Sequence, residues 1–174
     1  RAALHRVSVT RTRLGTLVTV TVVHPDASAA RAMVDEAFAE MTRLEAILSR
    51  HRPDSPLSRL NVAGRIDRAP HALLHVMDQA LDYARMSGGA FDPTVAPLLK
   101  LYTSRAERGD GLPDEDAVSN TLPLVGYEGV RIEGAGVAFD RPGMSVTLDG
   151  IAKGYVVDRT VATLVEAGAD RVLV

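Results

Sequence analysis

The 174-residue sequence contains no cysteine. That excludes disulfides, a thiol nucleophile, sulfur-ligated metal sites and a lipid-anchor cysteine. No apolar run approaches the roughly 20 residues that a membrane-spanning helix needs. Neither sign of charge is in excess. The formal net charge is -2 and the isoelectric point lies near 6.2, so there is no electrostatic footprint for nucleic acid or for an anionic membrane. Lysine is scarce: Lys100 and Lys153 stand against eighteen arginines, a bias that reads as a property of the source more than of function. A Gly-x-Ser-x-Gly elbow, a phosphate-binding Walker loop and a dinucleotide glycine fingerprint are all missing, and no Ser-His-Asp set can be assigned. There is no internal repeat and no linker that would split the chain.

What is present is the composition of an ordinary globular domain, 46% apolar and 24% charged. Residues 7–23 alternate Val and Thr with polar residues and read as strand, broken at Leu14-Gly15-Thr16. After Pro25-Asp26, apolar residues Ala30, Met33, Val34, Ala37, Met41, Leu44 and Leu48 recur at spacings of three and four, which predicts a helix capped by Asp26 or Ser28. Residues 49–61, with two prolines, read as a polar loop. A second helix is expected from about Pro70 to Ser87, with Leu73, Leu74, Met77, Ala80, Leu81 and Ala84 inward and Gly88-Gly89 stopping it. Asp92-Pro93 marks a turn that continues as a short helix. Residues 103–116 read as a charged surface loop. Short strands follow near residues 130–132 and 136–139, a further strand ends at Val146–Leu148, and a third long helix runs from Ile151 to about Ala167. The chain closes on "DRVLV", the start of a strand. The expected fold class is α+β: a mostly antiparallel β-sheet flanked by three long α-helices. An apolar strand with no tail suggests the N-terminal part of a larger fold.

Three stretches carry candidate chemistry. In "TLDGIAKGYVVDRT" (147–160), Lys153 sits between Gly150 and Gly154 at a helix start. A lysine there opposes the helix macrodipole, which is sensible if an anion is bound. The bland alternative is that Gly154 permits close helix packing and Lys153 is merely solvated. In "SGGAFDPTVAPL" (87–98), Phe91 could cover an aromatic ring and Asp92 could accept ligand hydrogen bonds. Equally, Asp92 could cap a short helix begun by Pro93. Ser49, His51, Ser55, Ser58 and Asn61 could line a pocket, although polar loops are usually only loops. His71 and His75 stand one helical turn apart, but no third ligand is evident for a metal.

Taken in order, "LGTLVTVTV", "EAILSRHRPDSPLSRLN", "SGGAFDPTVAPLLKLY" and "TLDGIAKGYVVDR" resemble the motifs of one family, the ApbE-type FAD:protein FMN transferases. The "TLDGIAKGY" form also resembles the NosX-like subgroup, which serves nitrous oxide reductase maturation. The resemblance implies that residues 1–174 are the N-terminal portion of a single ApbE-like flavin transferase domain. It implies a magnesium-dependent transfer of FMN from FAD to a threonine hydroxyl of an acceptor protein, forming a phosphoester and releasing AMP. It implies that Leu14, His51, Ala90, Phe91, Asp92, Thr147 and Lys153 contact FAD, and that the backbone carbonyl of Gly150 helps to hold Mg2+. The remaining metal ligands and the catalytic residues would come from a following half. Expected partners are FAD and the acceptor protein, with subunits of a membrane-associated redox complex and no nucleic acid. The implied location is the periplasm or the outer face of the membrane. Four positions depart from the family pattern: Leu14 for Met, His51 for Tyr, Thr147 for Asp and Asp149 for Gly. These leave room for another reading, a relative that binds FAD or a partner without transfer.

Overall fold

The computed structural model describes residues 3–174. The chain forms two compact units, Arg1–Ala46 with Ala152–Val174, and Ile47–Ile151.

The first unit begins with strands His5–Arg13 (β1) and Thr16–His24 (β2), an antiparallel hairpin in which Arg13 faces Thr16. Cross-strand hydroxyls meet at Ser8–Thr21 (2.9 Å) and Thr10–Thr19 (2.8 Å), the pairing expected of Thr-rich strands. The two turn residues, Leu14 (φ 53°) and Gly15 (φ 72°), both have positive φ, the backbone twist that suits a two-residue hairpin. Glycine adopts it freely, whereas a leucine there costs on the order of 1 kcal/mol. Leu14→Gly is therefore expected to stabilise the chain by about 1 kcal/mol, read as a higher thermal midpoint. An unchanged midpoint would show that packing of the Leu14 side chain offsets the backbone cost.

Helix Ala27–Leu48 (α1) starts where expected. Asp26, not Ser28, is its cap: Oδ1 accepts the N–H groups of Ser28 (2.7 Å) and Ala29 (3.1 Å). Those two bonds, Ala29 foremost, hold the carboxyl of Asp26 below its ordinary range. The predicted apolar stripe is buried, and Phe38 joins it at 1% exposure. Arg11 of β1 lies over the Phe38 ring, 4.5 Å from guanidinium carbon to centroid, so α1 packs against this sheet. Helix Ala152–Glu166 (α6) buries Val156, Thr160 and Leu164. Strand Arg171–Leu173 (β6) then pairs with β2, giving the order β1-β2-β6.

The second unit holds helices Pro56–Ala63 (α2), His71–Met86 (α3), Ala96–Arg108 (α4) and Glu115–Thr121 (α5). Strands Arg65–Ile66 (β3), Val130–Glu133 (β4) and Gly136–Phe139 (β5) form a second sheet of order β3-β5-β4. Its core contains Leu57, Leu60, Leu73, Val76, Met77, Met144, Val146 and Leu148, each at most 2% exposed. Leu74, expected inward, is only half-buried, because Ala72 and Val76 take the inner face instead.

The fold is α+β and every ladder is antiparallel, as expected, with the strands divided between two three-stranded sheets. Three sequence readings are corrected. Residues 56–61, expected as loop, are helical: Ser55 caps α2 by accepting the N–H of Ser58 (2.9 Å), and Pro56 occupies the first turn, where a missing N–H does no harm. Residues 103–108 and 115–116, also expected as loop, belong to α4 and α5. No residue of α4 is fully buried, so its charged end shows little apolar periodicity. Val146–Leu148 is not a strand. Its backbone bonds go to Asn61 and Pro93 instead of to a ladder.

Candidate functional site

Within the second unit, α3 ends at Met86, and Gly88 and Gly89 follow with φ of 60° and 82°. The left-handed pair folds the chain back: the Gly89 N–H reaches the Ala84 carbonyl (2.8 Å) and the Phe91 N–H reaches Ser87 Oγ (3.0 Å). This presents Ala90, Phe91 and Asp92 on a tight loop. Phe91 stands edge-on to Tyr83, centroids 6.4 Å apart at 81°.

Asp92 is turned into the protein. Its Oδ1 accepts the N–H (2.7 Å) and the hydroxyl (2.6 Å) of Thr94, and its Oδ2 accepts the Tyr127 N–H (3.1 Å). Thr94, fully buried, accepts the Gly126 N–H at 2.7 Å. Asp92 thus caps the 3₁₀ turn Pro93–Val95, the structural alternative weighed from the sequence, and ties the loop to residues 126–127.

Residues 147–150 run beside this loop. The Thr147 N–H donates to the Pro93 carbonyl (2.8 Å), and Thr147 Oγ1 accepts the Asp149 N–H (3.2 Å). Gly150 lies under Phe91, so close that a Cβ there would stand 3.0 Å from the ring edge. A cavity of about 450 Å³ is lined by Ala90, Phe91, Asp92, Thr147, Asp149 and Gly150, among others. Phe91 and Gly150 also line an adjoining hollow of about 420 Å³ with Tyr83, Met86, Ser87 and Ile151. Five of the expected site residues, drawn from two separate motifs, therefore meet in one place.

The other three are not among the residues that line that cavity. His51 is exposed and lines a separate groove of about 840 Å³, together with Arg50, Asn61 and Lys100. Leu14 and Lys153 belong to the first unit, Leu14 at the hairpin turn and Lys153, exposed, in the first turn of α6. Gly154 does not serve close packing: among the described residues, apart from its chain neighbours and the backbone of its own helix, nothing lies within 4 Å of where its Cβ would be.

Two partners were missed from the sequence. Arg50 Nε holds Asp149 Oδ2 at 2.6 Å. Burial raises the Asp149 carboxyl, but the Arg50 bond and charge outweigh it and hold the carboxyl below its ordinary range. Whatever the pair adds to stability is present at neutral pH and lost as pH falls through that lowered range. Both side chains are substantially exposed, so the contribution is at most about 1 kcal/mol. A carboxylate standing where the family pattern has glycine was the available signal, since a new charge in a partly buried turn needs a partner. Asn61 was singled out as a pocket residue, yet its amide bonds the backbone of Val146 in both directions. Ser55 and Ser58, from the same polar cluster, spend their hydroxyls on the carbonyls of Ser49 and Arg50.

His71 and His75 stack at 6.1 Å, and no group of three or more His, Cys, Asp or Glu side chains able to hold a metal occurs among the described residues. Mg2+ takes about six oxygen ligands. The Gly150 carbonyl could supply one, but the carboxylates beside it are already bonded, Asp92 to Thr94 and Asp149 to Arg50. These residues do not by themselves form a magnesium site.

The model of the ApbE family matches residues 14–174. An FAD:protein FMN transferase of Treponema pallidum is 34% identical over 100% of this chain and 51% of its own length. Another from Vibrio cholerae is 33% identical over 73% of this chain and 39% of its own. Among solved structures, the H257G mutant of the flavin transferase ApbE from Vibrio cholerae aligns with a TM-score of 0.88 at 26% identity, covering 97% of this chain and 56% of that one. The apo form of the flavinyl transferase ApbE from Pseudomonas stutzeri aligns at 0.87 and 26%, covering 98% and 55%. The chain spans about half the length of these relatives. With a family match over nearly its whole length and two close structural likenesses, the chain belongs to the ApbE family.

Proposed function

We propose that this chain supplies the flavin-handling part of an FAD:protein FMN transferase. The observation that carries the reading is the meeting of Ala90, Phe91, Asp92, Thr147 and Gly150 around one cavity in a chain of this family. In the proposed reaction a threonine hydroxyl oxygen of the acceptor attacks the FMN-side phosphorus of FAD. The pyrophosphate P–O bond breaks, AMP leaves with the bridging oxygen, and the hydroxyl proton passes to a base outside the residues assigned here. The chain's own part is to bind and orient. Phe91 offers a half-buried ring face to a flat ligand. Lys153 stands in the first turn of α6, where unpaired N–H groups and the helix dipole already favour a phosphate. The open space at Gly154 lets a ligand approach that backbone.

Magnesium dependence, the threonine target, a membrane redox complex as acceptor and a periplasmic or outer-face location are parts of this proposal that rest on the family resemblance. Bound Mg2+ would neutralise charge on the pyrophosphate, but since the residues at hand do not make its site, no step is assigned to it. No described helix is long and apolar enough to cross a membrane.

The test is a fluorescence titration of this chain with FAD, with and without Mg2+. Saturable binding is expected, weakened roughly tenfold in Lys153→Ala, the effect of losing one charged hydrogen bond. Equal affinity in the variant would remove Lys153 from the phosphate site. A second reading, flavin binding without transfer, is favoured by Thr147: its hydroxyl is buried and accepts the Asp149 N–H, so no carboxylate is offered where the family pattern has one. FAD binding without AMP release in the presence of a threonine-bearing acceptor would select it.

A further inference from the structure

We propose that Asn61 is a positioning residue for the site, a clamp that sets the register of residues 147–150 through the backbone of Val146. The proposal rests on the flavin-site reading above. Segment 144–150 enters the site without belonging to a sheet. Its backbone would otherwise need a neighbouring strand, because buried peptide groups must find partners. Asn61, near the end of α2, supplies that partner: Nδ2 donates to the Val146 carbonyl at 2.8 Å, and the Val146 N–H donates to Oδ1 at 2.8 Å. One side-chain amide thus reproduces both bonds that a paired strand residue would make. The next bond along, Thr147 N–H to the Pro93 carbonyl, docks the segment on the flavin loop. Val146 itself is fully buried and Asn61 half-buried, so water reaches the clamp only from the groove that Asn61 lines. Thr147, Asp149 and Gly150, which line the site, hang from this point.

Asparagine is specific here because it carries one donor and one acceptor on a short planar group. Leucine has neither. Ionised aspartate keeps the acceptor but turns an oxygen toward the Val146 carbonyl. Protonated aspartate recovers both, with its O–H donating to the carbonyl. Asn61→Asp should therefore fail at high pH and recover at low pH, which a purely space-filling role would not produce. Arg50, His51 and Lys100 line the same groove as Asn61, so every value is read as a ratio to the wild-type chain at the same pH.

Three proteins, wild type, Asn61→Asp and Asn61→Leu, are titrated with FAD at about pH 8 and about pH 5, either side of a carboxyl raised by partial burial. Asn61→Asp is expected to bind roughly tenfold more weakly at the higher pH and to return to within about twofold at the lower. Asn61→Leu is expected to stay weak at both. Equal affinity in all three, or an equal loss in both variants at both pH values, overturns the proposal. Amide hydrogen exchange over residues 146–150 is measured on the same proteins. If the wild-type chain itself does not bind FAD, the flavin reading falls, and exchange alone decides the clamp. Protection lost in Asn61→Leu and restored in Asn61→Asp at low pH supports it, and protection independent of residue 61 overturns it.

Discussion

Asp92→Ala should cost the chain about 3 kcal/mol, because the carboxylate satisfies three donors and an alanine satisfies none. The Thr94 N–H, the Thr94 hydroxyl and the Tyr127 N–H all bond Asp92 at 3.1 Å or less. Thr94 is fully buried, so water cannot readily take over its half of the arrangement. Bonds to a charged acceptor contribute about 1.5–3 kcal/mol each when measured singly, and three that share one group do not add. A role as a pure ligand contact predicts the opposite pattern, lost FAD affinity with unchanged stability. Thermal or denaturant unfolding, measured beside an FAD titration, separates the two. A midpoint equal to wild type would show that the Asp92 knot does not hold the loop. Asp92→Asn, which can still accept at one oxygen, should fall between the wild type and the alanine variant.

Phe38→Ala is expected to lose about 3–5 kcal/mol, the range for deleting a buried aromatic ring. The ring is 1% exposed on the inner face of α1. Two cations also lie over it, Arg11 at 4.5 Å and Arg13 at 5.9 Å from the centroid. Each is anchored on α1 as well, Arg11 by Asp35 at 2.5 Å and Arg13 by Thr42 at 3.1 Å. Removing the ring opens a cavity and also strips the surface on which both guanidiniums rest. Phe38→Leu, which refills much of the volume but offers no π face, should lose less than half as much as Phe38→Ala. An equal loss in both would assign the effect to the ring's electrostatics and shape more than to its size. Against a total stability of order 10 kcal/mol, the alanine variant should be visibly less stable by chemical denaturation at room temperature.

How much of this could be read from residues alone depended on the range of the interaction. The strand character of β1 and β2, and the break at Leu14-Gly15, declared themselves through Val and Thr alternation, because period-two patterning is a local property. The stripe on α1 did the same at helical period, and the Asp92-Pro93 pair announced its own turn. The start of helix α2 is hard to see in the sequence because Ser55-Pro56 reads as loop punctuation, although a serine before a proline is also a good helix start. The charged end of α4 carries no apolar stripe to find. At the candidate site, Ala90, Phe91, Asp92, Thr147 and Gly150 were legible through motif resemblance. That Asp92 faces Tyr127, that Arg50 reaches Asp149, and that Asn61 stands in for a strand beside Val146 were not. Each is a single side chain meeting a distant stretch of backbone or charge, and such meetings leave no periodic trace.

The order β1-β2-β6 has a consequence for biosynthesis. β2 is the middle strand, and its partner β6 pairs Thr21 with Leu173, from the far end of the described residues. The whole of Ile47–Ile151 is made in between. As the chain leaves the ribosome, that inserted unit has all its residues available first, while β2 waits with one edge unpaired. Vectorial synthesis thus favours an inside-out sequence of events, in which the inserted unit can close before the unit it interrupts, and the β2 edge, unpaired until β6 emerges, is a liability of the nascent chain toward self-association.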